Sequence, residues 1–184
     1  MINHIDVSSV LRRTVCDLFS NLVTRSTGEA VRTEIENLLA DRDSPTITVI
    51  DFSHVGLLDF SCADEVIAKL LLRYLDEPTR VGAFFVVRGV RDAHLDAIES
   101  VLERYSLALV VEDEAGVPRL VGTVTEPERD AWQAVARVGR LAPGELARVL
   151  GREPSEAQLL LEKLLERRLV MRLEGRYVAL GAPV

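Results

Sequence analysis

Apolar and polar positions along the first two thirds of the chain fall into blocks that switch between two periods. "TITVIDF", "VGAFFVV" and "LALVVED" are β-branched, apolar and short, which predicts central strands. Between them, "SCADEVIAKLLLRYL" places Ala63, Val66, Ile67, Leu70, Leu71 and Tyr74 at helical spacing, and "RDAHLDAIESVLERY" is a second helix. Upstream, "TRSTGEAVRTEIENLLA" is a helix whose start is marked by Ser26 and Glu29 as a capping box. Strand, helix, strand, helix, strand implies right-handed crossovers and a largely parallel sheet with helices against it, an α/β fold. The stretch "LRRTVCDLFSNLVT" suits a hairpin or a helix, and strands are expected there. "EDEAGVPRLVG", with Gly116 at its turn, predicts that the last strand bends into a hairpin or edge strand.

The pattern changes at "VTEPERD", where Pro127 marks a helix start and a domain junction. "ERDAWQAVARVG", "PGELARVLG" (stopped by Gly151) and "SEAQLLLEKLLERRLV" read as three helices, the third capped by Ser155 with Gln158. "VMRLEGRYVAL" is a hairpin turning at Glu174 and Gly175. The expected division is a first domain over 1–124 and a second over 125–184.

Composition narrows the function classes. A length of 184 residues accommodates one ordinary domain and a small second one, and 48% hydrophobic with 28% charged residues is a globular balance. The net charge of −7 is uneven: residues 1–125 hold 12 Lys and Arg against 20 Asp and Glu, while 126–184 hold 10 against 9. An acidic body repels phosphate, so any DNA role belongs to the second unit. Two cysteines, Cys16 and Cys62, are too few for a disulfide framework. Apolar runs such as "LVV" and "LLL" fall far short of the ~20 residues of a membrane span. A cytoplasmic protein with reduced thiols and no membrane contact is expected. No nucleophile turn, Gly-rich phosphate loop or zinc spacing is visible, so no catalysis, metal or other cofactor is expected.

The segment "DFSHVGLLDFSCADE" resembles the signature of STAS domains, the anti-sigma-factor antagonist family. There a strand ending in Asp and a small polar residue leads through an apolar segment to a second Asp, two small polar residues and a helix. Asp51 and Ser53 match the strand end, Asp59 matches the second acid, and Ser61 falls on the family's phosphorylatable serine or threonine. Phe60 stands where many members have a small hydroxyl residue, and Cys62 replaces the usual glycine. The flanking sequence looks closest to the uncharacterised STAS-like relatives. The resemblance covers about residues 5–122 and implies a non-enzymatic protein-interaction switch whose partner is an anti-sigma-type serine kinase. Residues 126–180, through "ELARVLGREPSEAQLLLEKLLERRLV", resemble the winged helix-turn-helix families of bacterial regulators.

The residues of the opening segment admit simpler roles. Ser61 can be a plain N-cap, with Asp64 as the acidic half of a capping box. A phosphate on it would meet the helix N-terminus favourably but lie beside Asp59 and Asp64, whose repulsion would drive a partner off. The expected partner-binding loop comprises Asp51, Ser53, His54, Asp59, Cys62 and Asp64 around Ser61. Asp51, Asp59, Asp64 and His54 could instead hold Mg²⁺ or accept a phosphoryl group. Cys62, in the first helical turn, could be a redox sensor of lowered pKa, though a small buried apolar role is expected. His4 and His94 read as solitary surface residues.

In the second unit, Arg148, Arg152, Lys163, Arg172 and Arg176 are the candidate phosphate contacts. The third helix shows Ser155, Glu156, Gln158, Glu162, Lys163 and Glu166, an acidic face that suits protein docking as well as DNA. The alternative to the phosphorylation switch is therefore a DNA-binding transcriptional regulator with a STAS-like sensor.

Overall fold

The computed structural model describes residues 2–15, 20–40, 45–76 and 83–181; Cys16, and Val81 and Gly82 of the expected second strand, lie outside them. Strands β1 (Ile2–Asp6), β2 (Thr46–Asp51), β3 (Ala83–Arg88), β4 (Ala108–Glu112) and β5 (Pro118–Gly122) form one sheet in chain order. The first four run parallel and β5 returns antiparallel to β4, so the protein is α/β with a mixed sheet. Helices α1 (Val7–Thr14) and α2 (Arg25–Leu39) precede β2. A continuous helical rod follows it: α3 (Phe60–Ala63), a π-helical stretch Asp64–Lys69, and α4 (Leu70–Asp76). Helix α5 (Asp92–Arg104) joins β3 to β4.

Of the stretch 11–24 expected as strands, residues 11–14 instead end a helix over Val7–Thr14, 16–19 lie outside the described residues, and Leu22 forms a single bridge to Leu58. Asp6 caps that helix by accepting from the Ser8 N–H at 3.0 Å, and Val7, Val10 and Leu11 turn a buried stripe inward. The expected box of Ser26 and Glu29 is also replaced. Thr24 is the N-cap of α2, its hydroxyl accepting from the Thr27 N–H at 3.2 Å, because Thr24 still has extended backbone while Ser26 is already helical.

Residues after Val124 build α6 (Glu126–Val138), β6 (Arg140–Leu141), α7 (Pro143–Leu150), α8 (Pro154–Glu166), β7 (Val170–Leu173) and β8 (Arg176–Ala179). A second sheet has the order β6-β8-β7. Pro127 lies in the first turn of α6, where Thr125 and Glu128 form a capping box. Glu174 and Gly175 both adopt positive φ, 49° and 76°, as a two-residue hairpin turn of this hand requires. Ser155 does not cap α8: Glu153 holds the N-cap position without a side-chain bond, and Pro154 opens the helix. Strand β6 is too short to have a periodic signature and exists through its pairing with β8.

The pleat divides the core. Ile50, Phe85, Val87, Leu109 and Val111 pack with α1, α2, the rod and α5. Their alternates Val49, Phe84, Val86 and Val110 pack instead with Trp132, Val135, Leu161, Leu164 and Leu180. The unit after Val124 therefore covers the second face of the sheet, with both faces buried as in other parallel sheets. Arg168 latches the seam, donating to Ala83 O at 3.1 Å and Tyr74 O at 2.7 Å, while within the second unit Trp132 Nε1 donates to Leu169 O at 3.1 Å. Among the described residues no helix is long and apolar enough to cross a membrane.

Candidate functional site

Strand β2 ends at Asp51, opposite Arg88 at the end of β3. The parallel register brings the pair together: Arg88 Nε donates to Asp51 Oδ2 at 2.8 Å, and the Ser53 N–H to Oδ1 at 2.9 Å. Burial opposes ionisation of Asp51, but the bonds from Ser53 and Arg88 outweigh it and hold its pKa below the ordinary value.

The chain from Phe52 to Asp59 is tied down on both sides. Phe52 N donates to Arg88 O at 2.9 Å, Leu22 N to Leu57 O at 2.8 Å, and Asp59 N to Leu22 O at 2.9 Å. Leu22 and Leu58 form an isolated parallel bridge. Gly89, at φ 67°, passes so close that an added Cβ would stand 2.5 Å from the Ser53 nitrogen. From α5, Arg91 donates to the Val55 carbonyl at 2.7 Å and also to the Gly56 carbonyl. His94 belongs to this clamp and is 1% exposed, not a solitary surface residue. Its Nδ1 accepts from the Arg91 N–H at 3.4 Å and its Nε2 lies 3.2 Å from Gly56 O. Burial lowers the pKa of His94, the Gly56 carbonyl opposes this, and Arg91 adds to it. His4 and His54 are exposed.

Ser61 is not the helix cap. Asp59 is, accepting from the Cys62 N–H at 2.8 Å; only its backbone is extended, whereas Ser61 is already in the first turn. The Ser61 hydroxyl donates to both Asp59 oxygens, at 2.9 and 3.1 Å, and is half-buried. Around it Val23, Leu57 and Phe60 present apolar side chains at 43%, 56% and 39% exposure, and the Arg104 guanidinium lies 5.8 Å from the centre of the Phe60 ring.

Cys62 turns inward. Its backbone lies against Gly28 of α2, and its Sγ donates to Thr24 O at 2.9 Å. Burial, with Asp59 adding to it, pushes the thiol up to about 12, which overturns a thiolate sensor there.

Asp64 also leaves the capping box. It is 2% exposed and pairs with Arg25 at 2.7 Å; its neighbour Glu65, 1% exposed, meets Arg25 at 2.8 Å, Arg32 at 3.2 Å and Lys69. Arg32 reaches Glu36 at 2.8 Å, and Arg73 meets Glu36 as well. Burial raises the pKa of both Asp64 and Glu65, but cationic partners outweigh it and keep both acids ionised below their usual range. Asp51, Asp59 and Asp64 thus serve three different partners. Among the described residues no group of three or more His, Cys, Asp or Glu side chains is gathered as a metal would require.

An open cleft of about 460 Å³ at the carboxyl ends of β2, β3 and β4 is lined by Ser53, Arg88, Arg91 and Glu112 among others. The place is where open parallel sheets accept ligands, but its cations are already engaged with Asp51 and the loop carbonyls.

In the second unit the expected phosphate contacts are mostly neutralised. Arg176 pairs with Glu145 at 2.7 Å, Arg172 with Glu162 at 3.3 Å and Arg152 with Glu156 at 3.9 Å. Arg148 donates to Gly144 O of its own helix at 3.2 Å, and Lys163 is exposed on α8.

Sequence reasoning found the loop but missed Arg88, Arg91 and His94, which hold it, and Arg25 and Arg32, which hold Asp64 and Glu65 on the rod. Arg88 had a readable signal, since a strand-end cation beside a strand-end Asp is what a parallel register aligns. Neither comparison with models of known protein families nor comparison with curated proteins finds a match to this chain.

Proposed function

We propose that the chain is a non-enzymatic regulatory protein: a STAS-like interaction switch controlled by phosphorylation of Ser61, joined to a winged-helix output or docking unit. The observation that carries the reading is the setting of Ser61. A half-buried hydroxyl sits in the first turn of a helix, held by Asp59, directly after a loop that Arg88, Arg91 and His94 clamp and that ends in exposed Leu57 and Phe60. An apolar rim offers a partner contact area, and a dianion placed in its midst beside Asp59 opposes that contact by repulsion and desolvation.

For the second unit, the order of a helix, a short strand, two helices and a hairpin supports the winged-helix reading. Protein docking is favoured over DNA binding, because Arg152, Arg172 and Arg176 are paired with carboxylates of the same unit. Phosphate contact would require breaking those pairs. The partner at the Ser61 face is an anti-sigma-type serine kinase, which both binds and modifies it.

The test is incubation of the purified chain with ATP and serine kinases of this type, followed by mass-spectrometric mapping. Phosphate on Ser61 that disappears in Ser61→Ala supports the switch. A chain left unmodified by every such kinase removes it.

A further inference from the structure

Ser61, Asp64 and Glu65 are spaced i, i+3 and i+4 along the rod, so they share one face. Side chains on a helix tilt toward its N-terminus, which leans the Asp64 carboxylate back over the turn that holds Ser61. Facing them is the first turn of α2. The Thr24 carbonyl accepts a hydrogen bond from the Cys62 thiol, Gly28 lies against the Cys62 backbone, and Arg25 bridges Asp64 and Glu65 through the same Nη1. The Arg25 side chain is 49% exposed although both carboxylates it serves are buried, so the guanidinium stands at the rim, open toward solvent, on a carboxylate one helical turn from Ser61.

The two acids depend on it unequally. Glu65 keeps Arg32 and Lys69 if Arg25 turns away. Asp64 has Arg25 as its one ion pair among the described residues; beyond it the carboxylate has only the Tyr105 hydroxyl and the more distant charge of Lys69 to favour its ionised form. Both acids open the π-helical stretch Asp64–Lys69. One extra residue per turn makes a π stretch less stable than the α-helix on either side, and such stretches recur where helices change shape.

We propose that Arg25 reads the charge state of Ser61: a phosphate there draws the guanidinium away from Asp64, and the buried carboxylate left behind loosens the π stretch. The inference rests on Ser61 as the modified residue and adds what the modification does inside the molecule. In the covalent step a kinase transfers the γ-phosphoryl group of ATP to the Ser61 oxygen, ADP leaves and the hydroxyl proton goes to the kinase's base. The dianion then competes with Asp64 for one cation. Charge-assisted bidentate pairing favours the phosphate, and the rim position of Arg25 makes the exchange a side-chain rotation. The other titratable and charged groups around the site are Asp59 on the rod's own cap, which repels the phosphate, Lys69 and Tyr105, which favour ionised Asp64, Arg32 on Glu65, and Arg104 of α5, which lies over the rings of Phe60 and Tyr105.

The test uses the full chain with phosphoserine installed at position 61 during translation, so that no kinase is needed. The second ionisation of the phosphate is followed by phosphorus NMR in the parent, Arg25→Gln, Asp64→Asn and Arg104→Gln. The parent should ionise below the Arg25→Gln form, and Asp64→Asn, which removes the competitor, should ionise lower still. Arg104→Gln should match the parent. Hydrogen exchange of amides in the π stretch should quicken on phosphorylation of the parent. If Arg25→Gln does not fold, the downward move in Asp64→Asn carries the comparison. An ionisation that ignores both Arg25 and Asp64, a larger effect of Arg104, or exchange unchanged by the phosphate overturns the inference. A kinase screen that fails to modify Ser61 would count against the switch itself and leave this result standing.

Discussion

The guanidinium of Arg168 donates to the carbonyl oxygen of Tyr74 at 2.7 Å. Tyr74 lies in the last turn of the rod that begins at Phe60, and Arg168 follows α8 in a left-handed conformation at φ 57°. One side chain therefore closes the end of a helix in the first unit and the start of β3 at Ala83, where it also donates. Carbonyls in a last helical turn have no partner within the helix, and a cation is well suited to them. Replacing Arg168 by Met should lower stability by about 2–3 kcal/mol, the range for a charged donor lost from such acceptors. Urea unfolding with an unchanged midpoint would show that the seam holds by apolar packing alone.

Asp59 and Ser61 should separate cleanly on substitution. Asp59 supplies the helix cap, so Asp59→Ala should cost about 1 kcal/mol. Ser61→Ala removes a hydroxyl that donates to Asp59 from within the first turn, and should cost less than half of that by the same measure. Paired thermal melts decide it; a larger loss at Ser61 would mean that the serine is the structural cap.

The clamp predicts a pH response. Free histidine titrates near ~6.5, and His94 is held below that value chiefly by burial. Between the two values the unfolded chain binds the proton and the folded chain does not, so stability falls as pH drops below the unfolded value and levels off below the folded one. Unfolding midpoints measured from neutral pH down to pH ~5 should show the decline, and His94→Gln should flatten it. Equal slopes in both proteins would place the response elsewhere.

Cys62 should resist thiol reagents. A thiol pushed up to about 12 has almost no thiolate at neutral pH. Alkylation of the native chain at Cys62, followed by peptide mapping, should proceed only on unfolding. Rapid labelling of folded protein would mean that the α2–α3 contact opens.

Much of this fold was legible because its strands are apolar on both faces and its helices carry continuous stripes. The division into two domains did not anticipate that the apolar alternates Val49, Phe84, Val86 and Val110 are covered by residues after Val124. What was illegible depended on partners far away in sequence. His94 is buried by a carbonyl 38 residues earlier, and Asp64 finds its cation 39 residues earlier. "VLRRT" carries apolar residues that fit either period, and Asp6, just upstream, decides for helix over Val7–Thr14 by capping it. Asp59 and Ser61 are both good caps by composition; the backbone at Asp59, extended at ψ 168°, chooses between them.

The central claim is that charge on Ser61 governs a docking face. Its most direct measurement is calorimetric binding of the kinase that modifies Ser61 to the unmodified chain and to the chain carrying phosphoserine at 61. Affinity should fall at least tenfold, about 1.4 kcal/mol, on phosphorylation. Equal affinity for the two forms would contradict the account.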